Sequence, residues 1–304
     1  MISTHLRPLT LFPRPQGTIR SQRLPKGKTV TICIAAISNV FYGEDPYLVT
    51  ASDQMVSGGI ISADRVMVKL QPFHKEWFTM MSADDLTQCT PIIEKAREYF
   101  TGRANRLATA RAVFKRAYSQ HLVGMREDAA LSGYGLSMKE FLKDGRKKLS
   151  ERMYESIRKQ IEEVKVGCTF LIAGFDLFGL PHIFEISENK DGGVTDHVYD
   201  NIGFAAIGSG KYIAETILYS LGQTTRRDFH QTIFNVCAAK FMAEKASDVG
   251  KPTWVYCKKR GSSAFAHASG MVEKIREEWD KKGCPRVPEG IVTQIKSIYN
   301  ARCE

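Results

Sequence analysis

Three residues whose types cooperate in hydrolysis lie close together in this sequence. Thr31 opens the apolar run Thr-Ile-Cys-Ile-Ala-Ala-Ile, Asp53 closes the run Leu-Val-Thr-Ala-Ser-Asp, and Lys69 follows further along the chain. A threonine hydroxyl is a poor nucleophile at neutral pH and requires a base within hydrogen-bond reach. We therefore interpret the three residues as a candidate nucleophile, a charged lysine beside it and the carboxylate that holds the lysine.

The base for Thr31 can be its own α-amine if Thr31 is the first residue of the chain. The pKa of an α-amino group is about 8, so an appreciable fraction is neutral at cytoplasmic pH. A neighbouring Lys69 ammonium favours the deprotonated hydroxyl and lowers the pKa of the amine by like-charge repulsion, while Asp53 keeps Lys69 charged and in place. Residue types alone leave other interpretations open. Thr31 is also typical of an ordinary strand, and Asp53 with Lys69 of a surface ion pair.

Strands must bring these residues to one end of a sheet. The β-branched, apolar segment 29–37 is typical of a strand covered on both faces, and residues 48–52 return as a second strand after a connection rich in turn residues. We expect three further short strands in the same sheet, at 60–61, 66–70 and 77–81.

The remainder of the chain alternates between helical and strand patterns. Helices are expected after a polar cap at 82–85, over 107–123, and as one long helix from a capping box of Ser137 and Glu140 to Val164. Strands are then expected at 168–175, 182–186, 194–199 and 204–207, and helices at 211–221 and 229–243. A last core strand is expected at 253–257, and two amphipathic helices from 269 onwards. This order predicts an α+β fold, a four-layer αββα sandwich.

Composition is typical of one large soluble domain. The 304 residues are 43% hydrophobic, and no apolar run reaches the roughly 20 residues that a membrane helix needs. The seven cysteines contain no CxxC pair and the seven histidines show no ligand spacing, so we expect no disulfide framework, no metal and no cofactor. We also expect a cytoplasmic location and a core position for Cys33.

Charge does not favour a nucleic-acid partner. The formal net charge is +10, but six basic residues and no acidic ones lie in the first 30 residues, and without these six the net charge is +4. A modestly basic body of this kind is common in proteins that do not bind nucleic acid.

The N-terminal residues decide whether Thr31 can be a chain terminus. Residues 1–28 contain four prolines and no periodicity, and we interpret them as a disordered extension, or as a segment that is untranslated or removed. A bacterial GTG codon at Val30 would initiate as Met and leave Thr31 first, and autocatalytic cleavage is another route. Thr29 is a competing nucleophile with the same strand parity. The prolines disfavour an organellar transit peptide.

Several of these features, in this order, resemble the proteasome β-subunits and their bacterial relatives over roughly 29–257. The matches are the strand that Thr31 opens, the run ending in Asp53, the step to Lys69, the Phe-Ala-Ala-Ile-Gly-Ser209-Gly turn and Gly-Phe-Asp at 174–176. The opening seven residues are also similar to bacterial proteasome-like proteins that begin Met-Thr. The resemblance implies an N-terminal-nucleophile hydrolase domain at 29–268, with a helical insertion at about 103–165 and a C-terminal helical extension at 269–304.

The resemblance also implies the rest of a catalytic site. Ser209 and Asp248 would complete the hydrogen-bonded support, and a backbone N–H near Ala83 would bind the oxyanion. The sequence departs from the family pattern at Ala83, where Gly is usual, and at Lys251, where Ser is frequent. The connection between Thr31 and Asp53 is also longer than usual.

We therefore predict a threonine-type hydrolase that cleaves peptide or other amide bonds through a Thr31 acyl-enzyme. A homo-oligomeric ring or related self-assembly is implied by the resemblance. The alternatives are a non-catalytic structural subunit of the same fold, which keeps its N-terminal extension, and a small-molecule amidase.

Overall fold

The computed structural model describes residues 31–40, 45–54, 56–58, 61–63, 69–83, 85–100, 105–246, 249–262, 266–267, 269–282 and 289–303. The strands are β1 (Ile32–Ser38), β2 (Tyr47–Asp53), β3 (Val56–Gly58), β4 (Ile61–Ala63), β5 (Leu70–Pro72), β6 (Trp77–Ala83), β7 (Cys168–Phe175), β8 (Pro181–Glu188), β9 (Val194–Val198), β10 (Phe204–Gly208), β11 (Thr253–Lys259) and β12 (Ala266–His267). The α-helices are α1 (Cys89–Tyr99), α2 (Leu107–Arg126), α3 (Met138–Lys148), α4 (Glu151–Glu163), α5 (Lys211–Ser220), α6 (Phe229–Ala243), α7 (Ser269–Lys282) and α8 (Glu289–Cys303).

Two five-stranded antiparallel sheets form the centre of the fold. The first has the order β10-β1-β2-β11-β12 and the second β5-β6-β7-β8-β9. Among the described residues, β3 and β4 form a separate two-stranded sheet. The expectation that the strands near 60–61 and 77–81 continue the first sheet is therefore wrong. An apolar run indicates that a strand is buried but does not specify its partner, and β6 pairs with β7, 85 or more residues further along the chain.

Three apolar clusters pack against the sheets. Alternate residues of β1 point to opposite faces, so Ile32 and Ile34 pack with α5 and α6, whereas Cys33 and Ala35 lie in the cluster that also holds side chains of the second sheet. Helices α1 and α2 cover the other face of the second sheet. All seven residues of β1 are buried. Burial on both faces is the physical reason for the continuous apolar run in the sequence.

The segment between the two long helical regions differs from the expectation. Ser137 and Glu140 form the capping box that begins α3. The single helix expected to reach Val164 is instead two helices, because Leu149 adopts an extended conformation and the Ser150 hydroxyl accepts the Met153 N–H to begin α4. Serine is a favoured N-cap residue because its hydroxyl accepts a backbone N–H that has no partner within the first turn of the helix.

The two C-terminal helices pack against the first sheet's core. Met271, Ile275 and Trp279 of α7 and Ile295 of α8 belong to the same buried cluster as α6. No helix in the described ranges has the length and apolarity needed to span a membrane.

Candidate active site

Thr31, Asp53 and Lys69 meet at one end of the first sheet. Thr31 directly precedes β1, Asp53 ends the neighbouring antiparallel strand β2, and Lys69 directly precedes β5 of the second sheet. Lys69 Nζ donates hydrogen bonds of 2.5 Å to both Thr31 Oγ1 and Asp53 Oδ1. Lys69 and Asp53 are fully buried, and Thr31 is 3% exposed.

Asp53 is held by more than the lysine. Its Oδ1 also accepts the Ile32 N–H at 3.3 Å, and its Oδ2 accepts the Gly250 N–H at 3.2 Å. A buried carboxylate without partners would be strongly destabilising, so these bonds are what allow a charged Asp53 to remain in the core. The same bonds fix the direction in which Asp53 presents Lys69 to the Thr31 hydroxyl.

The Ser209 side chain contacts the main chain of Thr31. The Thr31 N–H donates to Ser209 Oγ at 3.5 Å, and Ser209 Oγ donates to Thr31 O at 3.3 Å. The structure thus brings Ser209 together with Thr31, Asp53 and Lys69, four of the residues predicted from the sequence. The serine oxygen lies beside the nitrogen that would be the α-amine of an N-terminal Thr31.

Gly208 allows this close approach. It lies opposite Ile32 in the β1–β10 pairing and has a φ of +98°. A Cβ atom added to Gly208 would lie 2.1 Å from Thr31 O, which no side chain can tolerate without movement of the backbone. Both the positive φ and the lack of space therefore require glycine.

Cys33 is not a competing nucleophile. Burial raises the pKa of its thiol to about 12, an effect that the nearby Lys69 charge opposes only in part. The thiol stays protonated at neutral pH, and Sγ donates to Met81 O at 3.6 Å. A thiol in this state reacts slowly, since the thiolate is the nucleophilic form.

The predicted roles of Ala83, Asp248 and the competing nucleophile Thr29 are not tested by the contacts of the described residues. Asp248 and Thr29 lie outside the described residues. Ala83 is the last residue of β6, opposite Cys168 in the pairing with β7. The roles of Asp248 and Ala83 stay predictions.

Sequence reasoning missed the residues that support Asp53 through the Gly250 backbone. Lys240 of α6 is fully buried, and its Nζ donates to Gly250 O at 2.7 Å and to Glu244 Oε1 at 2.6 Å. Gly250 in turn supports Asp53 through its N–H. The signal was present in the sequence as a lone lysine in the apolar helix run Val-Cys-Ala-Ala-Lys-Phe-Met-Ala, with an acidic residue four positions later.

This arrangement can activate a hydroxyl without a metal ligand set. The Lys69 ammonium points at Thr31 Oγ1 and lowers the free energy of the alkoxide, and Asp53 fixes the ammonium. In the part of the chain that the structure describes, no cluster of three or more His, Cys, Asp or Glu residues is placed to hold a metal ion. Proton transfer from the hydroxyl needs a base, and a free α-amine on Thr31 would supply one within the same residue.

Comparison with known proteins gives a likeness of fold. No family model matches the sequence, and no curated protein does. The solved structure of an Anbu (Gly-1) mutant from Hyphomicrobium sp. strain MC1 is similar, with 15% sequence identity and a TM-score of 0.54, over 83% of this chain and 93% of that chain. At this identity the likeness shows the fold alone, an α+β fold with antiparallel sheets.

Proposed function

We propose that this protein is a proteasome-like threonine-type hydrolase that cleaves peptide bonds, with Thr31 as the nucleophile once Thr31 is the first residue of the chain. The observation that carries the proposal is the pair of 2.5 Å hydrogen bonds by which the buried Lys69 joins the Thr31 hydroxyl to Asp53. A buried lysine shared between a carboxylate and a single threonine hydroxyl has an evident use in lowering the free energy of the alkoxide. The likeness of fold supports the same conclusion.

The proposed reaction has two stages. The Thr31 α-amine takes the hydroxyl proton while Oγ1 attacks the substrate carbonyl carbon, and the resulting oxyanion is bound by the backbone N–H near Ala83. The protonated amine then gives its proton to the leaving amine as the C–N bond breaks, which leaves an ester on Thr31. Water, deprotonated by the same amine, hydrolyses the ester and restores the free hydroxyl.

Each side chain has one task in this scheme. Lys69 stabilises the negative charge that develops on Oγ1, and Asp53 holds Lys69. Ser209 orients the Thr31 nitrogen through its hydrogen bond, and Asp248 supports that corner of the site. The nitrogen can act only as a free amine, since an acylated nitrogen has no basic lone pair. Removal or non-translation of the preceding residues is therefore part of the proposal.

The proposed architecture is a four-layer αββα sandwich. The support is that α5 and α6 pack on one sheet, α1 and α2 on the other, and a third apolar cluster contains side chains of both sheets. We divide it into a hydrolase domain at 29–268 with a helical insertion at about 103–165, and a C-terminal extension at 269–304. In this proposal the substrate reaches Thr31 where the start of β1 lies beside the end of β2.

Self-association into a ring or related homo-oligomer accompanies the proposed function. Tyr212 and Tyr219 on α5 are 80% and 66% exposed, and Phe178 in the β7–β8 turn is 64% exposed. Large apolar side chains on the surface are typical of protein contact sites when they cluster. Light scattering on the purified protein measures the assembly directly.

A structural subunit without activity is the second candidate. It is favoured by the 3% exposure of Thr31 and by the 30 residues that precede Thr31 in the sequence. The two functions differ in one measurement, the hydrolysis of fluorogenic peptides by protein that begins at Thr31. We expect turnover that Thr31→Ala abolishes, whereas Thr50→Ala, which removes another buried threonine hydroxyl from the same sheet, retains it. Equal rates in wild type and Thr31→Ala would reject the enzyme.

A further inference from the structure

A partly buried cluster of charges lies next to the candidate site but contains none of its proposed catalytic residues. Lys240 and Glu244 belong to the region of α6 and its C-terminal end, and Arg276 lies on α7. Arg276 makes a bidentate ion pair with Glu244, with Nη1 to Oε2 and Nη2 to Oε1 both at 2.7 Å. Glu244 Oε1 also accepts from Lys240 Nζ at 2.6 Å. One carboxylate thus joins two cations that come from different helices.

The two cations of this cluster also hold two consecutive backbone carbonyls. Lys240 Nζ donates to Gly250 O at 2.7 Å, and Arg276 Nη2 donates to Lys251 O at 3.1 Å. Thr253 strengthens the second contact, because its hydroxyl lies 3.1 Å from Arg276 Nη2 and 3.3 Å from Glu244 Oε1. The segment 250–251 leads into β11 and is therefore fixed on both sides.

The segment that is held in this way supports Asp53. The Gly250 N–H donates to Asp53 Oδ2 at 3.2 Å, and Asp53 Oδ1 accepts from Lys69, which donates to Thr31. Each contact in this series is a hydrogen bond between buried or half-buried groups. A shift of the Gly250 backbone would remove one of the bonds that direct the Asp53 carboxylate.

The cluster has features of a rigid support. Lys240 is fully buried, and burial lowers the pKa of its ammonium, an effect that the Glu244 and Asp53 charges oppose. The Arg276 guanidinium lies 4.0 Å from the centre of the Phe241 ring, and its side chain is 30% exposed. A bidentate arginine pair restricts geometry more than a single ion pair does. Charged groups are costly to bury, so a cluster held this tightly is consistent with a positional role.

We propose that Arg276 and Lys240, joined by Glu244, act as a clamp that positions Asp53, so that helix α7 of the C-terminal extension sets the geometry of the Thr31 site. This inference rests on the proposed hydrolase function and assigns α7 a part in it. Arg276 and Lys240 are positioning residues: they act on Thr31 only through Gly250, Asp53 and Lys69.

The test compares peptide hydrolysis and hydrogen exchange in four variants. Arg276→Ala removes the guanidinium from a side chain that is already partly exposed, Arg276→Lys keeps the charge but not the bidentate geometry, and Lys240→Met replaces the buried ammonium by an apolar chain of similar length. Lys274→Ala is the matched control, because Lys274 is exposed on the same helix. Hydrolysis is measured on protein that begins at Thr31, and exchange on the full chain by mass spectrometry.

The clamp predicts a specific pattern. Arg276→Ala lowers kcat on the order of tenfold to hundredfold with little change in KM, because displacement of a reacting group affects the chemical step more than binding. Arg276→Lys restores part of kcat, and Lys274→Ala matches wild type. Amide exchange in the peptide covering 249–253 becomes faster in Arg276→Ala and not in Lys274→Ala. If Lys240→Met does not fold, the test depends on the comparison of Arg276→Ala with Arg276→Lys.

Each other outcome decides against a part of the inference. Unchanged exchange at 249–253 in Arg276→Ala overturns the clamp itself. Faster exchange with unchanged kcat overturns its role in catalysis, as does a loss of kcat in Lys274→Ala equal to that in Arg276→Ala. Absence of hydrolysis in wild type overturns the proposed function and the catalytic part of this inference, whereas the exchange comparison still decides whether the clamp holds.

Discussion

Lys69 Nζ lies 2.5 Å from Thr31 Oγ1, although 38 residues separate the two along the chain. The contact joins the start of β1 in one sheet to the residue before β5 in the other. Both side chains are buried, so the lysine acts on the hydroxyl with less screening by water than it would have at the surface. A catalytic account of this protein depends on that contact and on the state of the Thr31 nitrogen.

Lys69→Met is expected to abolish hydrolysis and to destabilise the fold. Loss of the ammonium removes the stabilisation of the alkoxide, worth at least about a hundredfold in rate, and leaves the Asp53 carboxylate buried without its cation. Breaking a buried pair in this way typically costs about 3–5 kcal/mol in the free energy of unfolding. Peptide hydrolysis and urea denaturation measure the two effects.

The double variant Lys69→Met/Asp53→Asn separates the effect on hydrolysis from the effect on stability. It removes the uncompensated charge, so we expect its free energy of unfolding to recover towards wild type while hydrolysis stays absent. Recovery of hydrolysis in the double variant would show that Lys69 has no role in the chemistry.

Gly208→Ala is expected to displace Thr31 from Ser209. The new methyl group would lie 2.1 Å from Thr31 O in a backbone conformation with φ of +98°. Strain of this kind costs on the order of 1–3 kcal/mol before the steric clash is counted, so both the thermal midpoint and kcat should fall. Gly290→Ala in α8 is the control, since nothing lies within 4 Å of its added Cβ. Equal effects of the two substitutions would be inconsistent with the close approach.

Ser209→Ala tests the contact with the Thr31 main chain. The variant loses the acceptor of the Thr31 N–H and the donor to Thr31 O. A hydrogen bond of this type contributes roughly 0.5–1.5 kcal/mol, so we expect up to about a tenfold fall in kcat, a modest fall in stability and an unchanged KM. Ser220→Ala provides the comparison, because Ser220 is an exposed serine whose hydroxyl donates to Ile217 O in the same helix. A rise in KM with unchanged kcat would assign Ser209 to substrate binding instead.

Buried thiols make the fold less stable at alkaline pH. Burial raises the pKa of Cys33 and of Cys237 to about 12. In the unfolded chain a cysteine ionises near pH 8.5, so above that pH the unfolded state binds fewer protons than the folded state and the free energy of unfolding decreases as pH rises. The stabilisation is complete below about pH 8.5 and is lost progressively towards pH 12.

The measurement is urea denaturation between pH 8 and pH 10.5 in wild type and Cys237→Ala. Each buried thiol contributes a slope of up to about 1.4 kcal/mol per pH unit. The variant should show a shallower decline, whatever its absolute stability at pH 8. Parallel declines would mean that Cys237 ionises equally in both states.

Much of the fold follows from patterns that the sequence carries. The continuous apolar run after Thr31 predicted a strand buried on both faces, and all seven residues of β1 are buried. The capping box of Ser137 and Glu140 also begins a helix as expected. These features depend on local periodicity and on hydrogen bonds between near neighbours, which a single sequence displays directly.

Pairing between strands that are distant along the chain was harder to predict from the sequence. The strand Trp77–Ala83 belongs to the second sheet because it pairs with Cys168–Phe175 across the helical region, and nothing in its own residues specifies that partner. The break at Leu149 and Ser150 was missed for a related reason. The apolar stripe continues through it, and only the backbone shows that Ser150 begins a new helix.

The candidate site divides in the same way. Thr31, Asp53, Lys69 and Ser209 were selected from the sequence by residue type and by a family resemblance. In the second group, Lys240 and Glu244 show only the pattern of a lone lysine in an apolar helix with an acidic residue four positions later. Gly250 contributes only its backbone. Main-chain donors and acceptors are common to every residue, so their role becomes visible only when the fold shows which segment lies beside Asp53.

The most direct test of the central claim compares two proteins that differ by one residue at the N-terminus. In the first, Thr31 is the first residue; in the second, a single glycine precedes Thr31 and makes its nitrogen an amide. Intact mass shows that the glycine is retained, and thermal unfolding shows that the two fold alike. Hydrolysis of fluorogenic peptides by the first protein and only background hydrolysis by the second is the result we predict. Equal hydrolysis by both would contradict the use of the Thr31 amine as the base.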